Sequence, residues 1–504
     1  MKLSSSEQMK FGAILSYLSI FINIFAGVIY TPWMIEQIGK GDYGLYTLAN
    51  SLITLFLVDF GLASATSRYI SKYRAEDRQD KIDDFLGVIY KLYLIIDLLI
   101  FTVLIIIYFF IDKIYVKLTP TELEKFKVVY IIAASFAIIN FPFVTFNGIL
   151  NSHEKFVQLK FADVLYRTLI IAFTVTALFL GLGLYAIVTV NAVVGLIIIL
   201  YKFIVIKKST EIKINWKFND KSLYKEIFSF SIWVTVSVLA ARLVFNITPS
   251  ILGIVASSSA IAVFGIVNVI EGYTYTLTDA INGMFMPKIS RIYERGEREK
   301  NIMPLMINVG RFQYAIGGLV LIGFLTVGKE FICLWMDETY IEAYYGIILV
   351  VTPGLFYNSL QIANTTMIVE KKVKLQAMIS LITGLTNVAF SFVFSYFWGI
   401  IGACISICLA YILRIIVCLF VYNNIMKLNI PLFIKKCYVK MTRPILIAVI
   451  FGLIINKIYY ESGWLELVIK GVMITVIYLI SIFFVGLNRN EQKAIINLIK
   501  NRVR

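Results

Sequence analysis

The chain alternates between long apolar segments and short polar connectors along almost its whole length. Each apolar segment continues for about 20 residues, which is the length that a helix needs to cross roughly 30 Å of hydrocarbon. We therefore predict an all-α membrane protein with about fourteen transmembrane helices. The predicted spans are residues 11–35, 44–66, 85–111, 128–150, 157–180, 184–206, 227–253, 260–284, 305–327, 345–367, 375–397, 400–422, 444–459 and 465–487.

Four matches in the sequence indicate that the first twelve spans form two six-helix repeats. They occur in the same order and at a nearly constant separation along the chain. The matched positions are Thr31-Pro32 with Thr248-Pro249, Asp59 and Arg68 with Asp279 and Lys288, Ile70-Ser71-Lys72 with Ile289-Ser290-Arg291, and Asn147 with Asn364. Two repeats of the same orientation with a substrate site between them are a transporter architecture.

The repeats divide the chain into five parts. We predict an N-terminal six-helix lobe at residues 1–206, a cytoplasmic linker at 207–226 and a C-terminal six-helix lobe at 227–422. Two additional transmembrane helices follow at 423–487, and a cytoplasmic basic tail occupies 488–504. The pattern of the tail is typical of a short amphipathic helix on the membrane surface.

The net charge of +16 is spread over the connectors and does not form one basic face. Most of the 47 Lys and Arg residues fall in the connectors on the side of the N-terminus. This asymmetry predicts that both termini are cytoplasmic, and it argues against nucleic acid as a partner. The outer connectors are too short for an extracytoplasmic catalytic domain.

The residues that usually hold metals or cofactors are scarce in this sequence. It contains one histidine and five cysteines, and no two cysteines form a CxxC pair. No nucleophile–base arrangement and no glycine-rich phosphate loop are visible. We predict no metal and no cofactor, and we do not expect an enzyme.

Charged residues within the predicted spans are the strongest functional candidates, because a charge near the bilayer centre is costly unless it faces a wet cavity or a partner. Arg242 and Glu271 lie about halfway along the seventh and eighth spans, and Asp97 lies deep in the third. A second group lies closer to the cytoplasm and comprises Asp59, Asp163, Arg167, Asp279, Arg311 and Arg414.

Several motifs resemble one family of membrane proteins. They are Gly41-Asp42-Tyr43-Gly44-Leu45-Tyr46, Asp59-Phe60-Gly61-Leu62, Arg68-Tyr69-Ile70, Pro287-Lys288-Ile289-Ser290, and the segments 331–335 and 340–345. The chain resembles the bacterial polysaccharide-repeat flippases, the Wzx-type translocases of O-antigen and capsule units. These belong to the multidrug/oligosaccharidyl-lipid/polysaccharide exporter superfamily. The likeness covers nearly the whole chain.

The resemblance implies a flippase that moves an undecaprenyl-diphosphate-linked oligosaccharide from the inner to the outer leaflet of the bacterial cytoplasmic membrane. It implies alternating access between the two lobes, coupling to an ion or to the membrane potential, and a glycan polymerase or synthase as a further partner. Relatives that flip the peptidoglycan precursor carry several arginines in their first two spans, whereas span 11–35 of this chain contains no charged residue.

The resemblance also suggests roles for the charged residues. Arginine binds phosphate oxygens bidentately and stays charged, so we expect Arg242 to hold the diphosphate, with support from Arg167, Arg311 and Arg414. Asn246 and Asn364 are candidates for hydrogen bonds to sugars. A carboxylate whose protonation depends on its surroundings suits ion coupling, and the candidates are Glu271, Asp97, Asp59 and Asp279.

Structural interpretations of the same residues stay open. Arg242 and Glu271 can form a buried ion pair, and Asp163 and Arg167 can satisfy each other along one helix face. Asp59 and Asp279 can be helix-end anchors that recur with the repeat, and the asparagines can bond between helices. The main functional alternative is a cation-coupled drug or metabolite exporter of the same superfamily.

Overall fold

The computed structural model describes residues 5–280, 282, 285–459, 463–489 and 491–493. Within these ranges every regular element is a helix, which confirms the all-α prediction. The predicted tail 488–504 lies mostly outside the described residues, since only 488–489 and 491–493 of it are described.

Eleven helices occupy the first part of the chain. They are α1 (Ser5–Ile38), α2 (Lys40–Phe56), α3 (Leu62–Ala75), α4 (Gln79–Ile114), α5 (Pro120–Asn140), α6 (Thr145–Ser152), α7 (Phe156–Phe179), α8 (Gly183–Ser209), α9 (Lys221–Phe245), α10 (Thr248–Val255) and α11 (Ser258–Asp279). A 3₁₀ turn, Phe141–Val144, joins α5 to α6.

Eight more helices follow. They are α12 (Met286–Glu294), α13 (Arg298–Trp335), α14 (Ile341–Asn358), α15 (Gln361–Val369), α16 (Val373–Asn424), α17 (Ile430–Phe433), α18 (Lys440–Ile458) and α19 (Trp464–Ser481). A 3₁₀ turn, Glu338–Tyr340, precedes α14, and π-helical segments at Ile434–Val439 and Ile482–Gly486 lie before α18 and after α19.

The predicted count of fourteen spans is not confirmed. Among the described residues, 11 helices are long and apolar enough to cross a membrane, or 12 if the bent pair Lys221–Ile227 and Ile232–Phe245 is one span. Two breaks in the helices account for much of the difference. One divides predicted span 44–66, and the other separates predicted spans 375–397 and 400–422, which together form one bent helix that is counted once.

The first break divides predicted span 44–66 into α2 and α3. Phe60 and Gly61 both adopt left-handed backbone conformations, with φ of 53° and 69°. The Gly61 N–H donates to Asp59 Oδ1 at 3.1 Å, which stabilises the turn. Neither α2 nor α3 alone has the length of a span, since they contain 17 and 14 residues.

The second break lies inside α16, where the sequence predicts spans 375–397 and 400–422. The 52-residue helix contains two residues with non-helical backbone angles, Trp398 and Gly399. Gly399 has φ of 53°, which glycine adopts without steric cost. A straight helix of this length would extend about 78 Å, more than twice the thickness of the hydrocarbon, so the turn is needed within a bilayer.

The contacts divide the described residues into two compact units, one ending at Gly265 and one beginning at Ile266. We call them the N-terminal unit and the C-terminal unit. In the N-terminal unit α1 packs on α7, α7 on α8, α3 on α6, and α2 on α5. In the C-terminal unit α13 and α16 pack on α14, α12 packs on α15, and α13 packs on α18 and α19. The lobe boundaries given above stay a prediction.

The predicted repeat has a counterpart in the turns of the two units. Left-handed residues occur at matched positions: Asp77 and Gly296 before α4 and α13, and Glu154 and Lys371 after α6 and α15. The short helices that these turns adjoin also pack in the same pairs, α3 with α6 and α12 with α15. The two units therefore share local backbone geometry as well as sequence.

The segment 207–226 packs on the start of α4. The Lys213 N–H donates to Asp83 Oδ1 at 2.9 Å, and the Asn215 N–H donates to the Asp83 carbonyl at 3.0 Å. Gly87 lies so close to the Asn215 carbonyl that an added Cβ would collide with it. Residues 207–226 are thus anchored to the N-terminal unit, and their role as a linker between lobes stays a prediction.

Candidate functional site

Arg242 lies in the last turn of α9, where the helix ends before α10 begins. Its carbonyl accepts hydrogen bonds from the N–H groups of Asn246 at 3.0 Å and Ile247 at 3.2 Å. A cation at this position interacts favourably with the unsatisfied carbonyls of the helix C-terminus. Asn246 is the residue that follows the helix and is half-buried, so the structure places both candidates at one helix break.

The guanidinium of Arg242 keeps an unused hydrogen-bond donor. Its Nη1 is buried and has no hydrogen-bond partner within the described part of the chain. The Asp59 carboxylate lies within electrostatic range, at the break between α2 and α3. No salt bridge of 4.0 Å or less joins Arg242 to a carboxylate among the described residues. The pair that the structure brings together is therefore Arg242 with Asp59, and each also has a backbone role at a helix end.

Asp97, a candidate coupling carboxylate, lies on α4 in the N-terminal unit. Its Oδ1 is buried and has no hydrogen-bond partner among the described residues. The neighbouring Leu94 and Leu98 are 49% and 65% exposed and face outward. Asp97 therefore lies at the border between the inner face of α4 and its lipid-facing side.

Arg167 lies on the exposed face of α7, within electrostatic range of Tyr46. The structural interpretation in which Asp163 satisfies Arg167 does not hold in this structure. Asp163 instead accepts from Lys160 Nζ at 3.2 Å. Arg167 is left as an exposed cation on a membrane-spanning helix.

In the C-terminal unit, Arg414 lies among aromatic rings. The centre of its guanidinium is 4.2 Å from the ring centroid of Tyr357 and 5.9 Å from that of Tyr411. Its Nη2 donates to Ser380 Oγ at 3.2 Å, while its Nε is buried without a partner in the described chain. Ring faces attract a cation without neutralising it. Arg414 therefore keeps its charge and one free donor.

Asn364 extends this cluster. Its Oδ1 accepts from Tyr422 Oη at 2.6 Å, and its Nδ2 donates to Tyr357 Oη at 3.3 Å and to Gln361 Oε1 at 3.2 Å. We call Arg414, Tyr357, Tyr411, Asn364 and Tyr422 the tyrosine cluster. The cluster joins α14, α15 and α16, so the interhelical bonding considered for Asn364 is present. Sugar binding by Asn364 stays a prediction.

Glu271 and Asp279 lie on α11 of the C-terminal unit in different surroundings. Glu271 is within electrostatic range of Tyr411 and Tyr275, and it has no salt bridge to any described residue. Asp279 accepts from Asn282 Nδ2 at 2.5 Å, and Gln313 Nε2 donates to Asn282 Oδ1 at 2.7 Å. Asp279 thus anchors the end of α11, as Asp59 anchors the turn before α3.

Arg311 is engaged by a residue near the C-terminus. Its Nη1 donates to Glu491 Oε1 at 2.6 Å and its Nη2 to Glu491 Oε2 at 3.1 Å, with a further hydrogen bond from Nη2 to the Gly486 carbonyl. Only 7% of Arg311 is exposed. In this structure Arg311 is therefore a buried cation that is paired with a partly exposed carboxylate.

Two further charged residues within the predicted spans, Lys202 and Lys470, were not identified as candidates from the sequence. Lys202 on α8 donates from Nζ to Asn147 Oδ1 at 2.9 Å. Lys470 on α19 forms a 2.8 Å ion pair with Glu330 on α13, and the two side chains are 3% and 13% exposed. Lys202 was detectable as a lysine inside an apolar stretch. It also occupies the repeat position that corresponds to Tyr422.

The fold and these cation clusters define a class of protein: a multi-pass membrane protein with the fold of flippases and transporters. The sequence pattern of the family described as "Polysaccharide biosynthesis protein" matches residues 10–293, more than half of the chain. The chain belongs to this family. No curated protein matches the sequence significantly.

Solved structures support the same fold. The chain is similar to a structure described as the lipid II flippase MurJ in an inward closed conformation, with a TM-score of 0.74 and 15% identity over 93% of this chain and 97% of that one. It is also similar to an inward-facing multidrug resistance MATE transporter of the MOP superfamily, with a TM-score of 0.66 and 15% identity over 86% of this chain and 99% of that one. A MOP superfamily transporter from Pyrococcus furiosus has a TM-score of 0.57 at 15% identity, over 84% and 96% of the two chains.

Proposed function

We propose that this protein is a flippase that moves an undecaprenyl-diphosphate-linked oligosaccharide from the inner to the outer leaflet of a bacterial cytoplasmic membrane. It works by alternating access and is driven by an ion gradient or the membrane potential. Membership of the polysaccharide biosynthesis protein family supports a glycan substrate. The fold that the chain shares with a lipid II flippase supports a lipid-linked one.

The observation that carries the proposal is the state of Arg414. A diphosphate needs a cation that stays charged inside the membrane and has donors to offer. The rings of Tyr357 and Tyr411 hold the guanidinium in place, and its Nε is unpartnered among the described residues. Arg242 offers a buried Nη1 in the N-terminal unit that likewise has no hydrogen-bond partner among the described residues.

The remaining candidates have lesser roles in this proposal. Arg167 is exposed and assists uptake from the inner leaflet, whereas Arg311 takes part only if Glu491 releases it. Asn246 and Asn364 contact the sugar or diphosphate from beside Arg242 and Arg414. Glu271 and Asp97 are the coupling carboxylates, because neither is satisfied by a cation of the described chain; Asp59 and Asp279 act from the helix ends.

The topology completes the proposal. The charge asymmetry of the connectors supports cytoplasmic N- and C-termini. Basic connectors at the cytoplasmic face would receive the substrate from the enzymes that make it, and a glycan polymerase or synthase is the partner that we propose on the outer side.

The test follows the leaflet in which the substrate lies. The purified protein is reconstituted in liposomes with a labelled undecaprenyl-diphosphate oligosaccharide, and a membrane-impermeant glycosidase removes the label from the accessible leaflet. We expect the native protein to expose nearly all of the label, and Arg414→Ala to slow this at least tenfold, since about 1.4 kcal/mol of lost phosphate binding has that effect. Arg443→Ala, which removes an exposed arginine of α18, is the matched control.

The same experiment separates the proposal from its alternative. An exporter of cationic drugs or metabolites would use Glu271, which lies near the aromatic rings of Tyr275 and Tyr411, in a fold that the chain shares with a multidrug transporter. If the native protein moves no lipid-linked sugar under any imposed ion gradient but accumulates an organic cation, the flippase proposal is wrong. If transport survives Arg414→Ala but not Arg242→Ala, the substrate site lies in the N-terminal unit.

A further inference from the structure

A basic cavity lies in the C-terminal unit, apart from the tyrosine cluster. Its volume is about 630 Å³. The first turns of α13, the turn between α16 and α17, the π-helical segment before α18 and the residues after α19 form its walls. The cations that line it are Arg298, Lys300, Arg311, Lys427, Lys436 and Lys440, and the carboxylates are Glu299 and Glu491.

Most of the positive charge in this cavity is not neutralised. Glu491 pairs with Arg311, and Arg298 pairs with Glu370 at 2.5 Å. The four lysines form no salt bridge with a carboxylate of the described residues. Lys440 donates instead to Asn488 Oδ1, a neutral group. The cavity is therefore electropositive and suited to an anion with several oxygens.

The deepest cation of the cavity has a donor to spare. Arg311 is 7% exposed, and its Nε is buried without a hydrogen-bond partner in the part of the chain that the structure describes. A buried guanidinium donor without a partner is costly unless a ligand satisfies it. This is a second indication, independent of the lysines, that the cavity takes an anion.

The position of the cavity selects the kind of anion. Helix α13 has 38 residues and a length of about 57 Å, far more than the roughly 30 Å of hydrocarbon, so its charged first turns extend into the headgroup region. The lining of the cavity also contains the apolar side chains of Met303, Ile307, Leu428 and Leu432. Basic pockets between membrane helices on the cytoplasmic side, with apolar surface beside them, suit phospholipid headgroups.

We propose that this cavity binds the phosphate of an anionic phospholipid of the bilayer, with Lys436, Lys440 and Arg311 as ligands. Glu491 occupies the Arg311 end of the cavity when no lipid is bound, and the lipid phosphate displaces it. The site is separate from the proposed transport site and lets the lipid composition of the membrane act on the C-terminal end of the chain.

The test measures lipid binding directly. Full-length protein in a neutral detergent is titrated with dioctanoyl phosphatidylglycerol, and native mass spectrometry counts the bound lipid at each concentration. We expect saturable binding that is weakened about fivefold by Lys436→Gln and about thirtyfold by the Lys436→Gln/Lys440→Gln double variant, at about 1 kcal/mol for each lysine. Glu491→Gln should strengthen binding, because it frees Arg311.

Matched controls keep the result specific. Lys207→Gln/Lys208→Gln removes two exposed lysines from the end of α8 and should leave the affinity unchanged. Lys427→Gln, at an exposed position of the cavity, replaces Lys440→Gln if that variant does not fold. Dioctanoyl phosphatidylcholine should bind at least tenfold more weakly than the phosphatidylglycerol.

Three outcomes would overturn the proposal. Equal phosphatidylglycerol binding by native protein and double variant would place the lipid elsewhere. Equal affinity for inorganic phosphate would identify a free-anion site. Loss of undecaprenyl diphosphate binding, without loss of phosphatidylglycerol binding, would assign the cavity to the transport substrate. None of these measurements depends on transport, so failure here is distinct from failure of the flippase proposal.

Discussion

The turns that follow α6 and α15 occupy matched positions in the two units but carry opposite chemistry. Both contain a left-handed residue, Glu154 with φ of 56° and Lys371 with φ of 58°. The preceding residue is His153 in one turn and Glu370 in the other. Both turns are surrounded by cations, so the repeat has retained the backbone and the positive charge while changing the group that meets them.

This change alters how each turn is stabilised. Glu370 accepts from Arg298 Nε at 2.5 Å and from Lys372 Nζ at 2.7 Å, which makes a compact ionic cluster. His153 Nδ1 lies 2.9 Å from the Ile149 carbonyl, with Arg74 and Lys155 as its charged neighbours. The C-terminal turn is therefore held by charge pairing, and the N-terminal turn by a neutral imidazole that donates to the backbone.

A second pair of matched positions shows the same divergence. Asn147 accepts from Lys202, and Asn364 accepts from Tyr422. In the C-terminal unit the cation is Arg414, which lies about two helical turns before Tyr422 on α16, among the aromatic rings. The matched positions thus place a cation against an amide in one unit and against tyrosines in the other.

The largest effect is expected at the contact between α13 and α19, since α19 belongs to the two helices that follow the two predicted six-helix lobes. Lys470→Ala leaves the Glu330 carboxylate buried without its cation, and we expect a loss of about 3 kcal/mol or more in the free energy of unfolding. Thermal unfolding in detergent measures the loss. The Lys470→Met/Glu330→Leu double variant should recover most of it. A double variant no more stable than the single would show that the charge pairing is not the cause.

The matched asparagines should respond unequally. Asn364→Ala removes the partner of the buried Tyr422 and Tyr357 hydroxyls, and we expect a loss of about 2 to 3 kcal/mol. Asn147→Ala removes one hydrogen bond, from Lys202, and should cost about 1 kcal/mol. Denaturation monitored by circular dichroism compares the two. Equal losses would mean that the hydrogen bonds between Asn364 and the two tyrosine hydroxyls contribute no more to stability than the single hydrogen bond of Asn147.

The two turns should weaken at different pH values. Burial, opposed by the hydrogen bond to Ile149, lowers the pKa of His153, and Arg74 and Lys155 lower it further. Burial raises the pKa of Glu370, but the hydrogen bonds from Lys372 and Arg298 outweigh it, so its net pKa is also lowered. In each case the unfolded state binds protons more readily, so stability is present above the unfolded pKa and is lost as the pH falls through the folded value.

We therefore expect the N-terminal turn to lose protection first, below about pH 6.5, and the C-terminal turn below about pH 4.3. Hydrogen exchange of the amides at residues 150–156 and 367–373, followed by mass spectrometry, resolves the two steps. His153→Gln should remove the first step and keep the second. Loss of protection in both turns at the same pH would indicate a global transition and contradict the local assignment.

The smallest effect should be the same in both units. Glu154→Gly and Lys371→Gly relieve a left-handed conformation at exposed positions, partly offset by the greater flexibility of unfolded glycine. We expect each to raise the free energy of unfolding by about 0.5 kcal/mol. Gly296→Ala, at another left-handed position, is the control and should destabilise. Opposite signs for Glu154→Gly and Lys371→Gly would show that the shared backbone geometry does not impose a shared energetic cost.

Much of this architecture could be predicted from the sequence. Predicted spans 85–111, 157–180 and 184–206 correspond to the helices Gln79–Ile114, Phe156–Phe179 and Gly183–Ser209. The repeat was detectable because a few residues with backbone or helix-end roles, such as Asp59 and Asp279, recur in order. The break at Phe60 was not predicted, since it lies within an apolar stretch whose hydropathy continues on either side. The break at Trp398 and Gly399 falls between predicted spans 375–397 and 400–422.

The candidate site was harder to predict. Charged residues within the spans could be identified, but their partners could not. Arg311 was considered a substrate ligand, and the structure pairs it with Glu491, far along the chain. Arg414 belonged to a secondary group, and the structure surrounds it with Tyr357 and Tyr411.

The sequence by itself determined that this chain spans a membrane with helices, contains an internal repeat and carries charges that need partners there. Hydropathy and helical length are local properties, and the cost of a bare charge in hydrocarbon applies to any fold. Only the tertiary structure decided which charged side chains have partners and which residues those partners are. Partners such as Arg311 and Glu491 or Arg414 and Tyr357 lie on different helices, and their meeting depends on the rotation and packing of those helices, which no local pattern encodes.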